Sequence, residues 1–280
     1  MDYKGIARKD STGKTQTICE HANPNGDPLG GNRPRTTSDN FGEVTDVCLK
    51  RKIRNRLQEM GNDIFVQMDE SNIDGEKSLS DRFNHFLAAL SKDEQKNKDI
   101  ISKKVCERWF DVRSFGQVFA FKKVNDTAEV SIGVRGPVTI QSAFSVEPII
   151  IESIQITKSV NSETTLDGKK SSDTMGMKHR VNKAVYVTYG SISPQLAEKT
   201  GFSDADAKFI KKALVSLFEG DESSARPSGS MQVSRVVWFE HSSKSGQYSS
   251  SKVHNSVKVD VNGNVTIESL TGLNPEVLEG

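Results

Sequence analysis

Two arginines that bracket a proline, Arg33 and Arg35, follow a turn-rich loop and precede a run carrying Lys50, Arg51, Lys52, Arg54 and Arg56. Cations gathered this closely suit phosphate, and such contacts grip a nucleic-acid backbone without reading its bases. The loop adds a second ingredient. Asn23-Pro24 and Asn25-Gly26 are successive turn signals, and Gly30-Gly31 lets a backbone approach a ligand with no Cβ in the way. A run of cations on a helix is equally the mark of a solvated face; the adjoining glycine loop with its own arginines tips the reading towards nucleic acid.

Other chemistries are less well supplied. His21, His85, His179, His241 and His254 could each serve as a general base for RNA cleavage. His85 lies beside the apolar stripe of a helix, where a packing role explains it. His179 stands between Lys178 and Arg180, where a backbone contact explains it as well as catalysis does. Asp27, Asp39 and Asp46 offer carboxylates, but each neighbours a turn or a helix start and has a structural use there. GDPLGGN lacks the lysine and hydroxyl residue of a nucleotide-binding loop, so nucleotide hydrolysis is poorly supported. Cys19, Cys48 and Cys106 are odd in number and widely separated, with no histidine at ligand spacing; they read as free thiols of a reducing cytoplasm, with no metal and no cofactor.

The cations need a helix to hold them. Thr45 or Asp46 can cap one that Gly61 stops, and Leu49, Ile53, Leu57 and Met60 form its single apolar stripe. Arg51 and Arg54 then fall opposite the stripe, with Lys50, Lys52 and Arg56 along its borders, so the helix is expected to offer charge on every side that is not core. Upstream, Thr15, Thr17 and Cys19 alternate with Gln16 and Ile18 as a poor strand. Downstream, Ser78 or Ser80 can cap a helix bearing Leu79, Phe83, Phe86, Leu87 and Leu90, and a further helical stretch carries Ile101, Val105 and Trp109.

From Phe115 the period changes to that of strands: FGQVFAFKK, AEVSIGVRG, VTIQSAFSV and PIIIESIQITKS are expected to form the sheet. A polar stretch over 159–182 separates them from the strand AVYVTYGS and is too long for a passive turn. Ser203 caps a helix with Phe209, Ile210, Ala213, Leu217 and Phe218. The strand QVSRVVWFE follows, then a serine-rich loop from Ser242 to Ser256, then a hairpin whose Asn262-Gly263 suits a type I′ turn. The order approximates β-α-β-β-α-β with enlarged connections, an α+β plan read as a single domain over 1–280 with a helical insertion at 61–110.

At 280 residues the chain can bury a real core, although only 34% of it is apolar. Net charge is +1, so no global field marks a nucleic-acid binder; instead a basic segment from Arg33 to Arg56 is followed by Asp63, Asp69, Glu70, Asp74, Glu76 and Asp81. Opposed patches of this kind allow a subunit to stack on copies of itself. The first twenty residues lack the apolar segment of a signal peptide, and no run approaches membrane-spanning length, so a cytoplasmic protein without membrane contact is expected.

NPNGDPLGGNRPR, VTDVCLKRKIRN, DVRSFG at 111–116, GVRGPV at 133–138 and TMGMKHRV at 174–181 together resemble the backbone subunit of a type I-C CRISPR Cascade complex. The resemblance implies an RRM-like (ferredoxin-like) fold of the RAMP superfamily that polymerises head-to-tail along a guide crRNA and presents it to target DNA in antiviral defence. It implies no catalysis, although related subunits cut RNA, so a RAMP-family endoribonuclease is the alternative. It further implies a capping subunit that processes the precursor RNA and a large subunit as partners. The RNA-contacting set is then Asn25, Gly26, Arg33, Arg35, Thr45, Lys50, Arg51, Arg54 and Arg113. The stretch 159–182 becomes a thumb-like hairpin, in which Met175, Lys178, His179 and Arg180, with Lys169 and Lys170, reach over the guide.

Overall fold

The computed structural model describes residues 10–121, 131–157 and 175–280. In chain order the elements are β1 (Ser11–Ala22), β2 (Gly26–Asp27), β3 (Arg33–Pro34), β4 (Phe41–Val44), α1 (Asp46–Glu59), α2 (Leu79–Ala88), α3 (Lys98–Arg108) and α4 (Phe110–Phe115). There follow β5 (Gly116–Ala120), β6 (Ser131–Arg135), β7 (Val138–Ile140), β8 (Ala143–Pro148), β9 (Ile151–Thr157), β10 (Met175–Ile192), α5 (Pro194–Thr200) and α6 (Asp204–Val215). The chain closes with β11 (Met231–Glu240), α7 (Ser250–Ser256), β12 (Val257–Val259), β13 (Val265–Ile267) and β14 (Pro275–Glu279).

This is a mixed α/β architecture around a large antiparallel sheet ordered β14-β11-β1-β10-β8-β4, with β7 and β9 also paired to the long β10. The weakly apolar strand expected near residue 15 is β1, the strand between β10 and β11. Its polar residues are tolerated at that position because both faces are covered. Thr15, Thr17 and Cys19 share a register line with Thr188, Tyr186 and Ala184, and the core on that side is closed by Leu49, Ile53 and Leu57 of α1 and Ile210, Ala213 and Leu214 of α6. On the other face the C-terminal segment forms a lid: Val253, Val257 and Leu273 pack on Val237 and Phe239, Lys14 Nζ donates to the Val257 carbonyl at 2.6 Å, and Gln16 Nε2 to the Gly263 carbonyl at 2.9 Å. The two buried donors are thus hydrogen-bonded, whereas Gln16 Oε1 is buried without a partner.

Four expectations are corrected. The strands after Phe115 do not form one sheet: β5 and β6 are a separate ribbon, and VTIQSAFSV divides into β7 and β8. The ribbon belongs instead with the helices of 61–110, where Phe65, Phe83, Trp109 and Phe119 make a second core with ring centroids 4.6–5.1 Å apart for the close pairs. The serine-rich stretch ends in a helix, α7, because Ser249 accepts a hydrogen bond from Lys252 N and so caps it. The β12–β13 connection spans five residues, 260–264, with Val259 opposite Val265, so it is not a two-residue type I′ turn. Finally, β10 begins at Met175, so the last residues of the polar stretch are strand paired with β9.

The glycines of DVRSFG and GVRGPV explain themselves here. A Cβ on Gly136 would lie 2.2 Å from the Ser114 carbonyl oxygen, and one on Gly116, at φ 80°, 2.3 Å from that of Val134. The two motifs are a backbone-on-backbone contact. Among the described residues no helix is long and apolar enough to cross a membrane.

Candidate nucleic-acid interface

The glycine and proline loop is clasped to the start of α1. Thr45 is the N-cap, its hydroxyl accepting from Cys48 N, and Asn25 Oδ1 accepts from both Thr45 N at 3.0 Å and Thr45 Oγ1 at 2.9 Å. Asn25 and Thr45, both expected in the RNA-contacting set, therefore bond each other and fix the loop to the helix start, and the Asn25 carbonyl accepts from Arg35 N at 3.0 Å. Gly26 permits the neck: a Cβ there would sit 1.9 Å from Asn32 Oδ1, and Asn23 Nδ2 donates to the Asn32 carbonyl at 2.6 Å. Beyond the neck, Asp27 closes the turn, its carbonyl accepting from Gly30 N and Asn32 N, and Arg35 approaches its carboxylate at 3.4 Å.

Helix α1 forms as expected, with Leu49, Ile53 and Leu57 buried, but its cations are not left facing solvent. The expectation of charge on every free side is corrected, because a second layer packs around the helix and brings acceptors to it. Lys50 pairs with Asp46 at 2.9 Å, Arg51 donates to the Val66 carbonyl at 2.7 Å, and Arg54 pairs with Asp111 at 2.9 Å. Lys52 is buried against Asp221, which also takes Arg226, and Arg56 reaches Ser216, Glu59 and Glu219. Burial pushes the Lys52 ammonium and the Arg51 guanidinium below their ordinary ranges, in Arg51 with a further contribution from neighbouring Arg54. Asp111 is the organising group that sequence reasoning missed: 1% exposed, it accepts from Arg54 and from the backbone N–H groups of Phe65 and Val66. Its neighbour Arg113 grips Asp206 through two hydrogen bonds at the capping box of α6.

The hairpin of β9 and β10 supplies the other wall. In its register Met175, Met177 and His179 face Thr157, Gln155 and Ser153, whereas Lys178 and Arg180 face Ile154 and Glu152, so the two sets lie on opposite faces. Arg33 crosses to the first face and donates to Ser153 Oγ at 3.1 Å, and the same oxygen lies 2.9 Å from His179 Nδ1. Residues 120 positions apart are thus joined at one surface, with a cleft of about 250 Å³ beside it whose lining includes Arg33 and Arg35 and also the carboxylates Asp27 and Glu43. Met175 and Met177 extend this surface outward, 63% and 55% exposed. Arg180 pairs with Glu152 at 2.8 Å, while Lys178 has no side-chain partner among the described residues. Lys169 and Lys170 lie outside the described residues. Ser153 carried no signal in the sequence; strand register alone puts it under Arg33.

Cys19 and Cys106 are free, buried thiols pushed up by burial to about 12. His85 is correctly on α2 but does not pack: it is 78% exposed and meets Glu76 at 2.7 Å. Among the described residues no group of three histidine, cysteine or carboxylate side chains is placed to hold a metal ion.

The sequence profile of CRISPR-associated protein Cas7 matches residues 15–274, a span that contains the loop, α1 and both strands of the hairpin. The chain belongs to the Cas7 family. A CRISPR-associated protein Cas7 of Haloferax volcanii is 26% identical over 202 residues, covering 68% of this chain and 58% of that relative's length. Chains of two solved structures are similar at 16% identity: a CRISPR RNA-guided surveillance complex in a pre-nicking state, covering 82% of this chain and 75% of that one with a TM-score of 0.49, and a CRISPR RNA-guided surveillance complex covering 82% and 68% with a TM-score of 0.45. Membership of the Cas7 family gives the joined loop and hairpin a context that geometry alone lacks.

Proposed function

We propose that this Cas7 family member is a non-catalytic guide-RNA-binding backbone subunit of a type I-C Cascade complex. Copies of it assemble head-to-tail along the crRNA, present it to target DNA, and meet a capping, RNA-processing subunit and a large subunit at the ends and flank of the array. The observation that carries the reading is the convergence of Arg33, Ser153 and His179, which unites the glycine loop with the hairpin at one surface in a chain of this family. Arg33 and Lys178 have no acidic partner among the described residues and are the principal phosphate contacts, Arg33 at this surface and Lys178 on the opposite face of the hairpin; Arg35, held loosely by Asp27, is the third. Lys50, Arg51, Arg54 and Arg113 are each engaged by a partner within the protein, which sets them apart from these contacts.

An RRM-like core is consistent with the strand order β11-β1-β10-β8, with α1 after β1 and α6 between β10 and β11, which is that of a split β-α-β fold. In such folds single strands lie on the open sheet face. Here that face carries the C-terminal lid, which directs RNA to the loop and hairpin. The hairpin of β9 and β10 is the root of the thumb, whose 158–174 portion lies outside the described residues.

A gel shift of the purified protein with guide RNA, run beside a cleavage assay with and without divalent metal, tests the reading. Binding that lengthens by a constant block per added subunit, without cleavage, supports it. Cleavage that depends on His179 would favour the endoribonuclease alternative, and absence of binding would leave neither.

A further inference from the structure

Leu29 is the most exposed large apolar side chain among the described residues, at 98%. It is not there by looseness. Gly26 and Asp27 pair with Pro34 and Arg33 as a short ribbon, Leu29 N donates to Asp27 Oδ1 at 3.2 Å, and Gly30 N and Asn32 N both donate to the Asp27 carbonyl, at 3.1 and 2.8 Å. Pro28 before it and Gly31 after it, at φ 65°, complete a closed turn. The chain therefore holds one leucine out into water at the tip of a ribbon whose stem carries Arg33 and Arg35.

We propose that Leu29 is an apolar contact for the face of a nucleobase whose phosphate lies at Arg33 and Arg35. The inference rests on the reading of this chain as an RNA-binding subunit and adds which part of the nucleotide the loop touches. A nucleotide is itself bipartite, an anion joined to a flat apolar-faced ring, and the ribbon presents the complement in the same order from stem to tip. The alternative occupant, a protein surface, needs a contiguous apolar patch, and the neighbours of Leu29 at the tip are Pro28, Gly30 and Gly31 rather than further large side chains.

The test uses the full-length protein and a single-stranded RNA, measured by fluorescence anisotropy over a salt series, with abasic ribonucleotides substituted one position at a time. Leu29→Ala should weaken binding about tenfold while leaving the slope of log affinity against log salt unchanged, since no charge is lost. Leu29→Met should keep most of the affinity. At the contacted positions an abasic site should weaken the wild-type complex and leave the Leu29→Ala complex no weaker than before, a coupling that a merely structural role would not produce. Thermal unfolding should be the same for all three proteins. The proposal is overturned if Leu29→Ala binds as wild type with the same abasic response, or if it loses only cooperativity between bound copies, which would assign Leu29 to a protein contact. If instead wild-type protein binds no RNA, or the Arg33→Ala, Arg35→Ala double variant binds as well as wild type, the proposed function itself fails and takes this inference with it.

Discussion

Helix α1 and the base of the β9–β10 hairpin carry the same kind of side chain to opposite ends. Each of the five cations on α1 has an acceptor in the protein: Asp46, the Val66 carbonyl, Asp221, Asp111, or the Ser216 and Glu219 group. At the hairpin, Arg33, which reaches across from β3, and Lys178 have none that is acidic among the described residues. Charge density in sequence is higher on the helix, yet its positive charge is largely neutralised where it stands. What separates structural cations from candidate ligands is therefore not number or spacing but whether the fold delivers a close carboxylate or carbonyl to them, as it does for Arg51 at 2.7 Å and does only loosely for Arg35 at 3.4 Å. A buried pair broken on one side costs far more than an exposed charge removed, so the two regions should respond differently to the same mutation.

The largest effect is expected at the buried end of the contrast. Asp111→Ala removes the partner of Arg54 and leaves the N–H groups of Phe65 and Val66 without their acceptor, and should destabilise the protein by about 3–5 kcal/mol. Urea unfolding would measure it, and a loss below about 1 kcal/mol would mean that α1's cations are not structurally committed. Next comes Asp221→Ala, which strands Lys52 in the core and should cost about 3 kcal/mol. Adding Lys52→Met should restore most of that loss, because a well-packed apolar side chain needs no partner; failure to rescue would point to Arg226 as the group left in need.

Exchanging the readout to RNA should reverse the ranking. Arg33→Ala and Lys178→Ala are expected to change stability by under about 0.5 kcal/mol and each to lower the salt slope of RNA binding by about 0.7. Arg54→Ala should do the opposite, lowering stability by about 3 kcal/mol with a slope close to wild type in whatever fraction stays folded. Equal slopes for Arg33→Ala and Arg54→Ala would erase the distinction between the regions.

The smallest effect lies outside both and serves as a control. His241 is buried between Thr12 and Gln247, and burial depresses its imidazole below the ordinary range of about 6.5, against an opposing pull from Asp10. The unfolded chain then binds the extra proton more readily, so the stability contributed is full above that range and is lost as pH falls through it. The urea midpoint should decline from pH 7 to pH 5, and His241→Gln should flatten that decline. Asp10 is displaced in the other direction, its own burial raising it above the ordinary carboxylate range against the pull of His241. RNA contact at Arg33 should not alter the His241 profile.

Local signals were legible in sequence wherever their physics is local. The Ser203 cap, one of the two cap candidates at α1 and at α2 (Thr45 and Ser78), the apolar stripes of α1, α2 and α6, and the strand QVSRVVWFE all rest on interactions within a few residues, and the structure has each of them. Family motifs were readable too, and the Cas7 match bears out their membership of one protein type. What only the tertiary structure decided is how charges and strands are partnered. A lysine's sequence neighbours do not reveal that Asp221 lies 169 positions away, nor does the polar run 11–17 announce that a C-terminal lid will satisfy Lys14 and Gln16 in the middle of a sheet. The same holds for Ser153, placed under Arg33 by the β9–β10 register, and for Met175 and Lys178, which alternation sends to opposite faces. Sequence specified which residues could bind an anion, because side-chain chemistry belongs to each residue; the fold alone decided which remained available, because ion pairing and solvent exclusion belong to pairs that the chain brings together.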